Sequence, residues 1–336
     1  MESRLGQFLL LAAFAAILSF GITRADPTIA AESPPKYPTG PVTLVEPFGA
    51  GGGPDVMAHL VGQKLSEFWH QPVVVENRPG AGATLGPAMV LKSPHNGYTL
   101  LVSTSAHAYG PAILKRLPYD PLKDFIPVAP LSTQPYVLVA GTSAHITTLR
   151  ELIAAAKARP GQLSFGTTGI GTGTHFGLEK FNLAAGIRTR HVPPRPDEGI
   201  QAVVANCVRG QTTFIMAPID LVLPRIHGGE LVALGVSTAR RSSLLPNVPT
   251  ISEAGVPGFD WPIWYGVWAP TGTPPLVVDR LAKDIARALA APDLRASLAK
   301  HGAKAMSMTQ PQFARFVARE ARDAARIAQA AGIKPQ

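Results

Sequence analysis

The chain has almost no cysteine. Cys207 is the single thiol in 336 residues, so no internal disulfide can form and stability has to come from size and core. Its setting in the apolar run Ala202-Val-Val-Ala-Asn-Cys-Val208 reads as a small buried hydrophobe rather than a nucleophile. Charge is scarce as well: 16% of residues are charged against 46% hydrophobic, which excludes disorder as the general state. Long apolar runs are missing too. The uncharged stretch from Phe8 to Phe20 has 13 residues, too few for the roughly 20 that span a bilayer as a helix. There is no Gly-x-Ser-x-Gly elbow, no His-Glu-x-x-His, no pair of cysteines, and the nine histidines show no ligand spacing. No metal, cofactor or catalytic residue is expected on that basis. Internal repeats, heptads and blocks of like charge are also absent.

The chain does contain a basic start at Arg4, the short apolar middle, and the exit Thr23-Arg24-Ala25, which together predict a secretory signal over residues 1–25. Residues 26–35 follow as a polar linker. The net charge is +9, and +8 once Glu2, Arg4 and Arg24 are removed. The basic residues are dispersed without interleaved aromatics, so the charge predicts a bias towards small anions and no nucleic-acid surface. With 32 glycines and 33 prolines, 19% of the chain, many loops are expected.

Apolar runs at 42–45, 73–75, 100–102, 136–139, 163–165, 213–215 and 231–236 read as buried strands, taken as parallel, alternating with helices. The pairs Val56/Met57, Leu60/Val61 and Phe68/Trp69, with Leu65, have the three-to-four spacing of a helix laid on a sheet. Thr148-Leu-Arg-Glu151 and Thr309-Gln-Pro-Gln312 are capping boxes opening two more helices, the first stopped by Pro160-Gly161. Alternation throughout predicts an α/β, doubly wound architecture with ligands at the carboxyl ends of strands.

Three loops after strands carry the chemistry. Phe48-Gly-Ala-Gly-Gly-Gly-Pro-Asp55 lets backbone N–H groups approach a ligand at a helix's positive end, which favours an anion. It is neither a P-loop nor a dinucleotide fingerprint, and it also reads as a tight turn with Asp55 complementing the helix dipole. Ser103-Thr-Ser-Ala106 and Thr167-Thr-Gly-Ile-Gly-Thr-Gly-Thr-His175 present hydroxyls and bare N–H groups suited to a small organic acid, or else Thr174 caps its helix and the rest is linker. His175 reads first as a hydrogen-bonder at the helix start.

These residues lie within an ordered series of motifs. Tyr37-Pro-Thr-Gly-Pro-Val42, Pro47-Phe48, Gly53-Pro-Asp55, Gln71-Pro-Val-Val-Val-Glu-Asn-Arg-Pro-Gly-Ala-Gly82, Asn96-Gly-Tyr-Thr-Leu-Leu101, Leu117-Pro-Tyr-Asp-Pro121, Lys123-Asp-Phe125, Gly169-Ile-Gly-Thr172, Leu245-Pro-Asn-Val-Pro-Thr250, Glu253-Ala-Gly255 and Ala269-Pro-Thr-Gly-Thr-Pro274 stand in order. From Tyr37 to about Glu320 the chain resembles the periplasmic solute-binding proteins of the tripartite tricarboxylate transporters, the Bug (Bordetella uptake gene) family. The resemblance implies a two-lobed, Venus-flytrap periplasmic binding protein of the second type with two doubly wound mixed sheets. Lobe 1 would be residues 36–137 and 240–336, and lobe 2 residues 138–239. Phe48, Gly52, Gly53 and Asp55 would form one wall of the cleft, Ser103 and Thr104 a second, and Thr167, Thr168, Gly171, Thr172 and His175 the facing wall. The ligand would be a small carboxylate or amino acid, the partners the membrane permease components of such a transporter, and the protein a periplasmic monomer.

The chain departs from the family at Val192-Pro-Pro-Arg-Pro-Asp-Glu-Gly199, where an aromatic is replaced and about three residues are added. It departs again at Gly210-Gln-Thr-Thr213, where an acidic residue is missing. Both departures leave a second reading, a diverged binding or sensor protein without transport. A third, an enzyme using His175 or Asp55 as base, lacks a nucleophile beside a base.

Overall fold

The computed structural model describes residues 36–113, 117–195 and 199–333. The predicted signal and linker, and residues 196–198 of the first departure, lie outside the described residues.

Two sheets organise the chain. The first is built from β1 (Val42–Glu46), β2 (Val73–Asn77), β3 (Thr99–Thr104), β4 (Phe125–Gln134), β10 (Ile263–Pro270) and β11 (Lys304–Ala305), in the order β11-β4-β10-β3-β1-β2. The second comprises β5 (Tyr136–Gly141), β6 (Ser164–Gly166), β7 (Arg190–Val192), β8 (Phe214–Pro218) and β9 (Leu231–Val236), in the order β7-β6-β8-β5-β9. The α/β class and two mixed sheets follow the sequence reading, with one correction to strand direction. β1 is parallel to β2 and β3, and β6 is parallel to β7 and β8. β5, read as a parallel run, instead lies antiparallel between β8 and β9, which run the same way as β6 and β7. The reason is topological: β5 and β10 belong to the segments that carry the chain between the sheets.

Helices cover the sheets as the periodicity requires. In the first unit these are α1 (Gly53–Trp69), α2 (Leu85–Lys92) and the single turn α3 (Ala106–Tyr109). The second sheet carries α4 (Leu149–Ala158), α5 (Gly173–Ala185), α6 (Ile200–Val208) and α7 (Ile219–His227). The chain ends in α8 (Pro275–Ala290), α9 (Pro292–Lys300) and α10 (Gln310–Ala330). Both predicted capping boxes are formed, each Thr hydroxyl accepting from the N–H three residues on and each Glu or Gln side chain reaching back.

The core is centred on β10, every residue of which is buried. Trp264 and Trp268 fill it, packed edge-on and tilted against Phe313 of α10. β5 is buried on both faces: Val137 and Val139 face the core under α6 and α7, where Cys207 also sits, while Leu138 and Ala140 face the main core.

The chain passes from the first sheet to the second at Gln134-Pro-Tyr136 and returns between Val236 and Ile263. The two crossings are laced together at Ser237. Its hydroxyl accepts from the Tyr136 N–H at 3.0 Å and donates to the Trp261 carbonyl at 2.7 Å, and backbone bonds join the same residues. Beside them Gln134, almost wholly buried, accepts from the Tyr265 hydroxyl at 3.1 Å and donates to Asp220 of α7 at 2.8 Å and to the His301 carbonyl at 2.7 Å.

Candidate functional site

The first loop leaves β1 at Glu46 and enters α1 at Gly53. Gly51 takes φ +79°, open to glycine at little cost, and Gly53 lies where a Cβ would stand 2.3 Å from the Tyr265 hydroxyl. Three side chains hold the loop. Glu46, fully buried, accepts from the Phe48 N–H at 3.0 Å through Oε1 and from Asn77 Nδ2 at 2.9 Å through Oε2. Asp55 accepts from the Gly51 N–H at 2.8 Å and from the same Asn77 nitrogen at 2.8 Å, with His59 Nδ1 3.3 Å away. One amide therefore ties two carboxylates together beneath the glycines. Burial pushes the Glu46 carboxyl up to about 7, against the lowering effect of its two hydrogen bonds, and the Asp55 charge raises it further. Asp55 is committed to shaping the loop, in addition to standing in the first turn of α1 as the dipole reading required. Neither Glu46 nor Asn77 was singled out from sequence, because a polar residue ending an apolar strand looks like a strand boundary.

The second loop is shorter than the sequence suggested. Ser103 and Thr104 belong to β3, pairing with Gly266 and Tyr265 of β10, and the turn into α3 is Ser105. Both predicted residues are buried at the carboxyl end of the strand, and the Thr104 hydroxyl accepts from the Ala106 N–H at 3.1 Å.

The third loop runs from β6 into α5. Its cap is Thr172, not Thr174: the Thr172 hydroxyl accepts from the His175 N–H at 3.4 Å. That hydroxyl also donates to the Gly169 carbonyl at 2.8 Å and lies 2.9 Å from the Thr174 hydroxyl, which in turn meets Thr168 at 3.0 Å. The expectation of bare N–H groups is corrected for much of this loop. Thr168, Gly169, Gly171 and Thr172 give their N–H groups to Thr174, Thr167, His175 and the Gly169 carbonyl. The first turn of α5, at Gly173 and Thr174, retains N–H groups without intrahelical partners.

His175 is buried and its Nδ1 accepts from the Gly171 N–H at 3.2 Å, which leaves the proton on Nε2, 3.9 Å from Glu179. Its ring stacks on His191 with centroids 4.5 Å apart, and His191 stacks on Phe165 and shares a 2.7 Å hydrogen bond with Thr167. Burial, helped by the neighbouring His191, pushes the His175 imidazole down to about 3, and burial takes His191 to about 4. Both rings are neutral hydrogen-bonders at neutral pH. His191 had no sequence signal, since only the pairing of β6 with β7 brings it to this loop.

The loops of the two sheets meet. A Cβ on Gly173 would lie 3.4 Å from the Ser105 hydroxyl and 2.6 Å from the Tyr136 hydroxyl, and one on Gly171 would overlap Ile113. Tyr109 of α3 packs against Phe176 of α5 and Trp261, whose indole donates to the Gly173 carbonyl at 2.9 Å. Among the described residues no group of three His, Cys, Asp or Glu side chains is placed to hold a metal, and no helix is long and apolar enough to cross a membrane.

The family described as "Tripartite tricarboxylate transporter family receptor" matches residues 57–333. The chain belongs to that family. Its members are substrate-binding proteins, not enzymes. Among curated relatives, protein BugT of Bordetella pertussis is 35% identical over 317 residues, covering 94% of this chain and 96% of the relative. A protein of the tcbD-tcbE intergenic region of Pseudomonas sp. strain P51 is 36% identical, covering 90% and 88%. Of solved structures, R. palustris Rpa4515 with adipate is 32% identical with a TM-score of 0.82, covering 89% of this chain and all of that one. MatC of Rhodopseudomonas palustris with bound malate is 29% identical with a TM-score of 0.77, covering 87% and 99%. The chain is a solute-binding protein of this family on a two-lobed fold with two mixed sheets.

Proposed function

We propose that this protein captures a small carboxylate between the loops of its two sheets in the periplasm and hands it to the membrane permease of a tripartite tricarboxylate-type transporter. One observation carries the reading: the glycine loop opening α1 and the threonine loop opening α5 belong to different sheets, and loops of the two sheets touch at Gly173 and Ser105. Loops that open helices beside such a junction present backbone N–H groups and positive dipole ends to an anion. In this reading residues 36–137 and 240–336 form one lobe and 138–239 the other, and the monomer closes as a hinge about the Ser237 lacing. Phe48, Gly52, Gly53, Ser103, Thr104 and Thr168 are the contact residues, while Asp55, Thr167, Gly171, Thr172 and His175 hold the loops in shape. Two similar structures carry adipate and malate, which supports a carboxylate as the ligand class.

The test is thermal unfolding of the mature chain, stripped of ligand by unfolding and refolding, against dicarboxylates, tricarboxylates, amino acids and aromatic acids. A bound acid at 100 times its Kd adds about 2.7 kcal/mol and raises the midpoint. No shift across the panel would overturn the carboxylate reading.

A further inference from the structure

Ile113 follows the turn Gly110–Ala112 after α3, in the unit of the first sheet, and Gly171 lies in the threonine loop of the second. Ile113 is 3% exposed and Gly171 is buried, yet among the described residues no backbone hydrogen bond joins their segments. The fit between them is tight. A Cβ built on Gly171 would stand 1.6 Å from Ile113 Cδ1, 2.7 Å from Cγ1 and 3.6 Å from Cβ. Carbon atoms in contact sit about 3.5–4.0 Å apart, so the isoleucine occupies the volume that any other residue at position 171 would need. Gly171 also takes φ +84°, and its N–H is spent on His175, so what it offers across the junction is a bare Cα rather than a donor.

We infer that Ile113 is the closure stop of the cleft: its side chain seats on the bare Cα of Gly171, and this contact fixes how near the two loop walls stand when a ligand is held. The inference rests on the proposed function in that a ligand lies between the walls. A packed contact of this kind is a hard limit, because interiors at crystal-like density do not compress. Ile113 is then a positioning residue, and its effect on affinity passes through the geometry of Thr172, Ser103 and their neighbours.

Two sets of variants test it. The 3.6 Å between the Cβ positions falls inside the window of about 3.5–4.5 Å that a disulfide requires. Ile113→Cys/Gly171→Cys should therefore cross-link under oxidised glutathione, which takes two electrons and two thiol protons per bond formed and leaves as two reduced glutathiones. The cross-linked, ligand-free chain should bind neither adipate nor malate, and dithiothreitol should restore binding of whichever acid the wild type takes. Absence of the cross-link, with or without acid, overturns the inference, and this arm reads out even where neither acid binds the wild type. In the second set, Gly171→Ala should weaken binding at least about 30-fold, and adding Ile113→Ala should recover at least about 10-fold of it, as two residues in direct contact couple. Backbone strain at φ +84° would persist in the double variant. Unchanged affinity in Gly171→Ala, or loss that Ile113→Ala leaves in place, overturns the stop while the carboxylate reading stands. A wild type that binds nothing in the panel, beside a double-cysteine variant that does cross-link, does the reverse.

Discussion

Replacing Glu46 by glutamine should change how stability depends on pH, with a sign and size the structure fixes. The Glu46 carboxyl is fully buried and pushed from its ordinary 4.5 to about 7, chiefly by burial. Between those values the folded chain holds a proton that the unfolded chain has released. The contribution of this group is therefore full below pH 4.5 and lost as pH rises through 7. At about 1.4 kcal/mol per unit the whole shift is worth roughly 3 kcal/mol, of which about 2–3 falls between pH 5 and 8. His107, His175 and His191 act in the opposite direction, since burial lowers each of them and their contribution is lost as pH falls below 6.5. That background is common to both proteins and cancels in their difference. Urea denaturation of wild type and Glu46→Gln at pH 5, 6, 7 and 8 should show the variant gaining about 2–3 kcal/mol on the wild type across the series. Curves that stay parallel within about 0.5 kcal/mol would refute the reasoning and require Glu46 to titrate in the fold as it does in the unfolded chain.

Other consequences are as direct. Among the described residues neither ring nitrogen of His107 has a hydrogen-bond partner, and the ring sits among Tyr119, Phe125 and Trp268. His107→Phe should therefore stabilise the protein by about 1–2 kcal/mol at pH 7 and remove one proton from its acid unfolding, as followed by circular dichroism. Gln134→Leu strands the Tyr265 hydroxyl, Asp220 and the His301 carbonyl at once, and should cost about 2–4 kcal/mol in urea denaturation. Thr172→Ala removes the α5 cap and the bond to the Gly169 carbonyl. It should lower stability by about 1 kcal/mol and weaken carboxylate binding by about 1–3 kcal/mol in calorimetry. Unchanged affinity would show that the loop shape Thr172 sets does not bear on the ligand.

Local rules made much of this fold readable. The capping boxes at Thr148 and Thr309 formed because each places a hydroxyl and a carboxyl or amide at fixed spacing, which no tertiary context had to supply. The apolar pairs of α1 became its buried face at Met57, Val61 and Leu65 for the same reason. β4 was not readable, since Pro127 and Pro130 argue against a strand interior. It pairs with β10 through two register shifts, at Trp264/Gly266 and Val267/Trp268, which accommodate missing donors. The reversed direction of β5 depends on how the chain crosses between sheets, and an apolar run carries no sign of that. In the site, the glycine and threonine loops stood out because bare backbone after a strand is rare and purposeful. Of the residues that hold those loops, Asn77, His191 and Ile113 were silent because each acts on a segment distant in sequence, and Glu46 because a polar residue ending an apolar strand looks like a boundary. The spacing of Thr167, Thr168, Thr172 and Thr174 promised hydroxyls for a ligand, and folding spends those hydroxyls on one another, on His191 and on the Gly169 carbonyl.

The measurement that bears most directly on the central claim is a crystal structure of the mature chain grown with the acid that gives the largest thermal shift. The account predicts one molecule between the two sheets, its carboxylate oxygens within about 3.2 Å of backbone N–H groups in the loops opening α1 and α5. An acid seated elsewhere on the molecule, or held between the sheets without contact to either loop, would contradict it.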